Sequence, residues 1–241
     1  MRNHVVVCGL GKVGIRVLKQ LRKLGKDVIV VEKREDCEFL EEARAMDVPV
    51  VVGDIRLAAT LQRANIGEAK SLIAVSDEDL ANLEAALNAR AVSSDIRTVL
   101  RIFDQTLADK VRSGFGIEVA FSTSAIAAPA FAMAAVDPSV IGSFYVGDNL
   151  MLNVELLVRK GSKLAGMTTE ELDQQGKIAV LAYTGAIDGE QHFHPTDSTP
   201  IRPGDTVVVC TASDHLQALH DMNISNTPNS PSFDSTGKPN P

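Results

Sequence analysis

An unbroken apolar run, Val5-Val6-Val7-Cys8, ends in Gly9-Leu10-Gly11-Lys12-Val13-Gly14, after which apolar residues at positions 13, 17, 18, 21 and 24 take up helical spacing. A buried strand that turns this sharply into a helix is the first half of a nucleotide-binding βαβ unit. Gly9 allows the tight turn, Gly11 lets a pyrophosphate approach the backbone, and Gly14 lets helix and strand pack closely. The free amides and dipole at the start of the helix then favour an anion. Asp27-Val28-Ile29-Val30-Val31 predicts a second buried strand that closes on the acidic Glu32. A carboxylate at that strand end accepts hydrogen bonds from ribose hydroxyls and repels a 2′-phosphate, so the expected ligand is NAD(H) or an adenine nucleotide rather than NADP.

The β/α alternation continues. A helix over about 37–46 leads to a strand at Val48–Val52 that ends in Gly53-Asp54, followed by Leu57, Leu61 and Ala64 on one helical face. Ser71–Val75, Arg97–Ile102 and Glu118–Phe121 read as further strands, with a strongly periodic helix over 77–92. Six strands separated by helices with short connections predict a Rossmann-like, doubly wound α/β fold with a parallel six-stranded sheet. Ligands of such sheets sit beyond the carboxyl ends of the strands, which singles out Glu32, Asp54, Ser76, Asp77 and Arg101 beside the glycine loop. Asp54 and Asp77 are also helix N-cap types, and Ser76 is a common loop residue. Arg101, a guanidinium closing a buried strand, needs an anionic partner, and a phosphate would serve. Asn82, one helical turn beyond Asp77, either faces the ligand or is a solvated helix residue; Lys12 either reaches a phosphate or points to water.

Thr123–Ala135 is a helix of small residues, with Ile126, Phe131 and Met133 among the alanines. Apolarity all round suggests burial on two sides, as at a subunit interface. Asp137-Pro138 ends it, and the chain changes character. Strands at 153–158, 178–183 and 206–210, a capped helix start at Thr168–Leu172 and a short helix over 213–222 predict a smaller α+β C-terminal domain. The organisation is thus 1–137, including the helix 123–135, then 138–222. A tail over 223–241, dominated by Asn, Ser, Thr, Pro and Gly, is expected to be disordered.

Composition narrows the function. A formal net charge of −7 over 241 residues argues against a nucleic-acid partner, which needs a concentrated basic face. The apolar stretch at 119–136 is broken by Ser122-Thr123-Ser124 and Pro129 and does not read as a membrane span, so no direct membrane insertion is expected. Cys8, Cys37 and Cys210 are widely spaced and lack a C-x-x-C pairing; at strand ends, Cys8 and Cys210 suit core packing. His192 and His194 would share one face of a strand, but no further Cys or His lies nearby to complete a metal site. The chain is expected to be cytoplasmic, and His4, His215 and His220 look incidental.

In order and spacing, HVVVCGLGKVG, VIVVEK, GDIRLAATLQRANI, LIAVSDEDLANLEAA, TVLRIFD, RKGSKLAGMTTEEL and IRPGDTVVVC resemble the RCK family, the regulators of potassium conductance. These are built from a TrkA-N (KTN) domain followed by a TrkA-C domain, and the resemblance covers residues 1 to 222. It implies that Gly9, Leu10, Gly11, Lys12, Val13 and Gly14 cradle phosphates, with Lys12 at the terminal ones. Glu32 would hold the ribose, and Lys33, Asp54, Ile55, Ser76, Asp77, Asn82 and Arg101 would line the rest. Ile55 departs from the family, which usually carries a small residue after Gly-Asp.

The resemblance also implies a homodimer through the helix after the sixth strand and assembly into an octameric ring. Such a ring would sit at the inner face of the membrane through a potassium channel or transporter subunit. Its ligands would be NAD(H), ATP/ADP, a divalent cation, or cyclic di-AMP at the C-terminal domain, acting by ligand-dependent conformational change. Two alternatives stand beside this non-enzymatic reading: an NAD-dependent oxidoreductase, and the regulatory domain of a cation/proton antiporter. The oxidoreductase would need a proton-transfer residue in a substrate cleft, and no His or Tyr/Lys constellation lies near the strand ends.

Overall fold

The computed structural model describes residues 1–117, 119–175, 177–195 and 198–225. In the first part of the chain, strands β1 (Val5–Cys8), β2 (Val28–Glu32), β3 (Val50–Val52), β4 (Ser71–Ala74), β5 (Arg97–Ile102) and β6 (Val119–Ser122) form one sheet in the order β3-β2-β1-β4-β5-β6. Every pairing is parallel. The order reverses between β1 and β4, the switch point at which such sheets open a crevice.

Alternate side chains of each strand serve opposite faces. Val5, Val7, Val28 and Val30 pack with Ile15 and Leu18 of helix α1 (Lys12–Lys23) and Leu40 and Ala43 of α2 (Leu40–Ala45). Val6, Cys8, Ile29, Val31, Leu72 and Leu100 pack with Leu61 of α3 (Ala58–Arg63), the alanines of α4 (Asp79–Val92) and Val111 of α5 (Gln105–Gly114). Both faces being covered, β1 and β2 are buried at every position, which is why they read as continuous apolar runs.

The chain divides into two compact units, Met1–Ile126 and a second that begins at Ala127, so the division falls within helix α6 (Thr123–Val136). None of the residues of α6 is buried within this chain, and Phe131 and Val136 are 77% and 78% exposed. The second unit is an antiparallel sheet built from β7 (Val140–Val146), β8 (Asn149–Leu157), β9 (Ile178–Thr184), β10 (Gln191–Phe193) and β11 (Thr206–Ala212) in the order β10-β9-β11-β8-β7. Its core gathers Leu152, Val154, Val180, Val207 and Val209 with Leu172 of α7 (Thr169–Gln174) and Leu219 of α8 (Leu216–Met222).

Strand β7 has no clean alternation, carrying Gly142 and Ser143 between apolar residues, and pairs with β8 through a two-residue turn that places Gly147 at φ +58°. The β8 strand consequently starts at Asn149 rather than Asn153. The predicted helix start is confirmed as a full capping box: the Thr168 hydroxyl accepts from the Glu171 amide at 3.1 Å, and Glu171 Oε2 accepts from the Thr168 amide at 2.8 Å. The histidine pair does not form a face, because β10 ends at Phe193 and His194 takes a positive φ; both imidazoles lie in exposed chain. Of the predicted tail, residues 226–241 lie outside the described residues.

His4 is not incidental. It is fully buried at the start of β1, and its Nε2 lies 3.0 Å from the carbonyl of Ala64. Cys8 is fully buried as expected, and burial pushes its thiol up to about 12, whereas Cys210 is only half-buried. Among the described residues no helix is long and apolar enough to cross a membrane.

Asp205 closes the Arg202-Pro203-Gly204 turn. Buried at 2% exposure, it accepts from the Tyr183 hydroxyl (2.7 Å), the Ala186 amide (2.9 Å) and the Arg202 amide (2.7 Å). Burial alone would raise its pKa; the three donors outweigh it and hold the carboxyl below its ordinary value, while burial and the carboxylate push Tyr183 up to about 12. A depressed carboxylate stabilises the fold above its unfolded pKa and loses that contribution as pH falls through the folded value. Asp137, likewise lowered, adds in the same direction: burial opposes the shift, and Ser139 and His220 outweigh it. The melting temperature should therefore hold from pH 7 to 5 and fall as pH drops from 4 toward 2. Asp205→Asn should cost about 2 kcal/mol at pH 7 and make the acid loss shallower, as read by thermal denaturation across pH.

Candidate functional site

The carboxyl ends of β1, β2, β3 and β4 and the side chain of Arg101 on β5 surround a cleft of about 590 Å³. Its floor is the glycine loop, whose three glycines have different reasons. Gly9 sits at φ +95°, and a Cβ there would lie 2.8 Å from the Ser76 amide nitrogen. A Cβ on Gly14 would lie 2.0 Å from the carbonyl oxygen of Gly9, so only glycine lets α1 cross β1 this closely. Gly11 has an ordinary φ of −73°, and a Cβ there would meet nothing within 4 Å. The fold thus demands Gly9 and Gly14 but not Gly11, which lines the open cleft. Gly11 is also the N-cap of α1, makes no side-chain cap, and no acidic residue occupies the first turn, so no side chain of the helix's own first turn complements its free amides.

Glu32, 8% exposed, ties the second strand end to this loop. Its Oε2 accepts from the Leu10 amide at 2.7 Å and its Oε1 from the Arg34 amide at 3.0 Å. Each oxygen keeps a second lone pair, and the residue lines the cleft. On the other side of the loop, the Cys37 thiol donates to the Leu10 carbonyl at 3.4 Å.

Beyond β3, Asp54 is held by Arg56 through two parallel contacts, Nε to Oδ1 at 3.0 Å and Nη2 to Oδ2 at 2.6 Å, and through the Arg56 amide at 3.0 Å. Lys33 Nζ stands 3.8 Å away. Hydrogen bonding by the Arg56 side chain and amide lowers the Asp54 carboxyl to about 2, so it is ionised throughout the physiological range. Ile55, where the resemblance implies a small residue, is buried and forms apolar wall.

At the β4 end, Asn82 acts as a clamp. Its Oδ1 accepts from the Ser76 amide (3.0 Å) and hydroxyl (2.8 Å), and its Nδ2 donates to the carbonyls of Ser76 and Arg101, each at 3.0 Å. Arg101 Nη1 donates to the Ser76 carbonyl at 2.9 Å. Its Nε is buried with no hydrogen-bond partner among the described residues, a donor in want of an acceptor beside the cleft.

Of the residues singled out from sequence, Gly9, Gly11, Lys12, Val13, Glu32, Lys33, Asp54, Ile55, Ser76, Asp77 and Arg101 all line this one cleft. Leu10, Gly14 and Asn82 do not. Leu10 has its side chain in the core and presents its backbone to Glu32, Gly14 works by close packing, and Asn82 is fully buried as the brace behind Ser76 and Arg101. The N-cap alternative for Asp54 and Asp77 also fails, because α3 starts from Leu57 and α4 from Glu78. Sequence reasoning missed Arg34, Arg56 and Glu78, which line the cleft from the same strand-end loops. Their signal was position alone, one or two residues beyond residues already chosen. Asn82→Ala should cost about 2–3 kcal/mol in urea denaturation, because it leaves the part-buried Ser76 amide without its acceptor and removes a donor from the carbonyls of Ser76 and Arg101.

The TrkA-N domain family matches residues 5–123 and the TrkA-C domain family residues 153–222. The chain is 30% identical, over 46% of its length, to the voltage-gated potassium channel Kch of Escherichia coli, of which it spans 27%. It is 22% identical, over 91% of its length, to potassium channel protein 1 of Methanocaldococcus jannaschii, of which it spans 66%. It therefore covers less than two thirds of either relative. Among solved structures, the GsuK channel bound to NAD shares the fold, with a TM-score of 0.61 over 95% of this chain and 41% of that chain at 17% identity. Two domain matches in the expected order, on a parallel sheet followed by a small antiparallel one, make the chain a member of the RCK family, with a TrkA-N domain followed by a TrkA-C domain.

Proposed function

We propose that this chain is a nucleotide-sensing regulatory domain that controls a potassium channel or transporter through ligand-dependent conformational change. The observation that carries this is Gly11: a glycine that the fold does not require, at an uncapped helix start, inside a cleft lined by Lys12 and Arg101. Absence of a side chain there serves close approach by a phosphate. Glu32 supports a ribose beside it, and its charge disfavours a 2′-phosphate, so the ligand is NAD(H) or ATP/ADP. The relatives' names are those of potassium channels, and a channel of like fold is described as bound to NAD. The domain works at the cytoplasmic face, reaching the membrane through its partner.

The reading is non-enzymatic. Among its described lining the cleft holds carboxylates, cations and a serine but no His, Cys or Tyr to exchange a proton with a substrate. Exposed Ile126, Phe131 and Val136 on α6 support a homodimer, and an octameric ring is its natural extension in this family. A divalent cation or cyclic di-AMP would act at the TrkA-C domain; among the described residues no group of three or more His, Cys, Asp or Glu could hold a metal.

Calorimetric titration with NAD⁺, NADH, ATP and ADP tests the site. At least one should bind, with no turnover of NADH. Gly11→Asp should leave the melting temperature unchanged or raised, since Asp is a good N-cap, yet weaken that binding more than tenfold by setting a carboxylate against the phosphates. Unchanged affinity would refute the site. Light scattering at micromolar concentration should give at least a dimer, and Phe131→Asp should shift it toward monomer; a monomeric mass for the unaltered chain would refute the role of α6.

A further inference from the structure

We infer that Arg56 is a base-binding residue: its guanidinium, held flat by Asp54, stacks on the purine of the bound nucleotide and makes the site prefer purines over pyrimidines. The inference rests on the nucleotide reading above. With phosphates at the start of α1 and the ribose at Glu32, the base must extend further in the same direction, and the strand order puts β3 next beyond β2. The β3 end of the cleft is Asp54, Ile55 and Arg56.

Three observations make Arg56 suited to a base rather than to a phosphate. Its charge is already matched, since Nε and Nη2 both engage the Asp54 carboxylate in the plane of the guanidinium. Bonding by Nε and Nη2 engages the edge of the guanidinium rather than its face, and the side chain is 41% exposed on the cleft, the arrangement in which arginine stacks on aromatic rings. Its backbone is also anchored: the amide donates to Asp54 Oδ1 at 3.0 Å, and the carbonyl accepts from Asn88 Nδ2 on α4 at 2.7 Å. Ile55 beside it is 6% exposed and supplies an apolar surface of the kind a base edge packs on. Asp54 is therefore a positioning residue for Arg56, and the arginine is the contact.

The test compares ADP with UDP, which share the diphosphate and ribose and differ in the base. Calorimetry on the unaltered chain, Arg56→Ala and Arg56→Lys, each checked for an unchanged melting transition, should show ADP binding about tenfold weaker in both variants while UDP binding changes less than twofold. Lysine keeps the charge but not the flat face, so its failure to rescue identifies stacking. Restoration by lysine, equal losses for ADP and UDP, or no loss at all would overturn the inference while leaving the nucleotide site standing. No binding of ADP by the unaltered chain would overturn this inference, and absence of binding by every nucleotide above would take the site reading with it.

Discussion

The closest constraint in the molecule is the crossing of α1 over β1, where the space for a Cβ on Gly14 is taken by the carbonyl oxygen of Gly9. That contact sets how near the helix start comes to the strand end, and the cleft inherits its geometry. The Glu32 carboxylate then fastens the loop from the side by accepting the Leu10 amide, so the ends of β1 and β2 and the start of α1 behave as one piece. A buried carboxylate with two amide donors is well satisfied, and it is a costly group to leave unpaired. The same residue therefore shapes the loop and lines the cleft, which is what suits it to the ribose role proposed above.

The far wall is organised differently. Asn82 takes four hydrogen bonds from behind the surface and fixes Ser76 and the carbonyl of Arg101 without touching the cleft itself. Arg101 is thereby held with one donor spent on Ser76 and another buried and unspent. A buried donor kept without an acceptor costs stability. Under the nucleotide reading proposed above, an anion that satisfied it would return that free energy and could favour one conformation over another.

The second unit depends on a comparable buried carboxylate. Asp205 joins the end of β9, the Arg202–Asp205 turn and the start of β11. Strand β7 is an edge strand with Ile141, Tyr145 and Val146 well exposed, and α6 exposes Ile126, Phe131 and Val136 while its Met133 packs on the core of the second unit. Exposed apolar surface of this extent marks interaction surfaces in folded proteins.

By itself the sequence determined the alternation of strands and helices in the first unit, the glycine loop, the acid at the end of β2 and the capping box at Thr168. Each is written in neighbouring residues: continuous apolar runs for strands covered on both faces, helical spacing for their covers, and turn or cap residues between them. Most of the cleft was legible for the same reason, because a parallel sheet gathers its strand ends and the sequence shows where each strand ends. Only the tertiary structure decided what each polar residue does there. Asn82 turned inward to brace Ser76, Asp54 was claimed by Arg56 rather than by a helix start, His4 was buried, and β7 formed despite its weak pattern because β8 was there to pair with it. Those outcomes depend on partners far away in sequence or on a choice between equally local ones, and a hydrogen bond goes to whichever partner the packing of the rest of the chain brings within 3 Å.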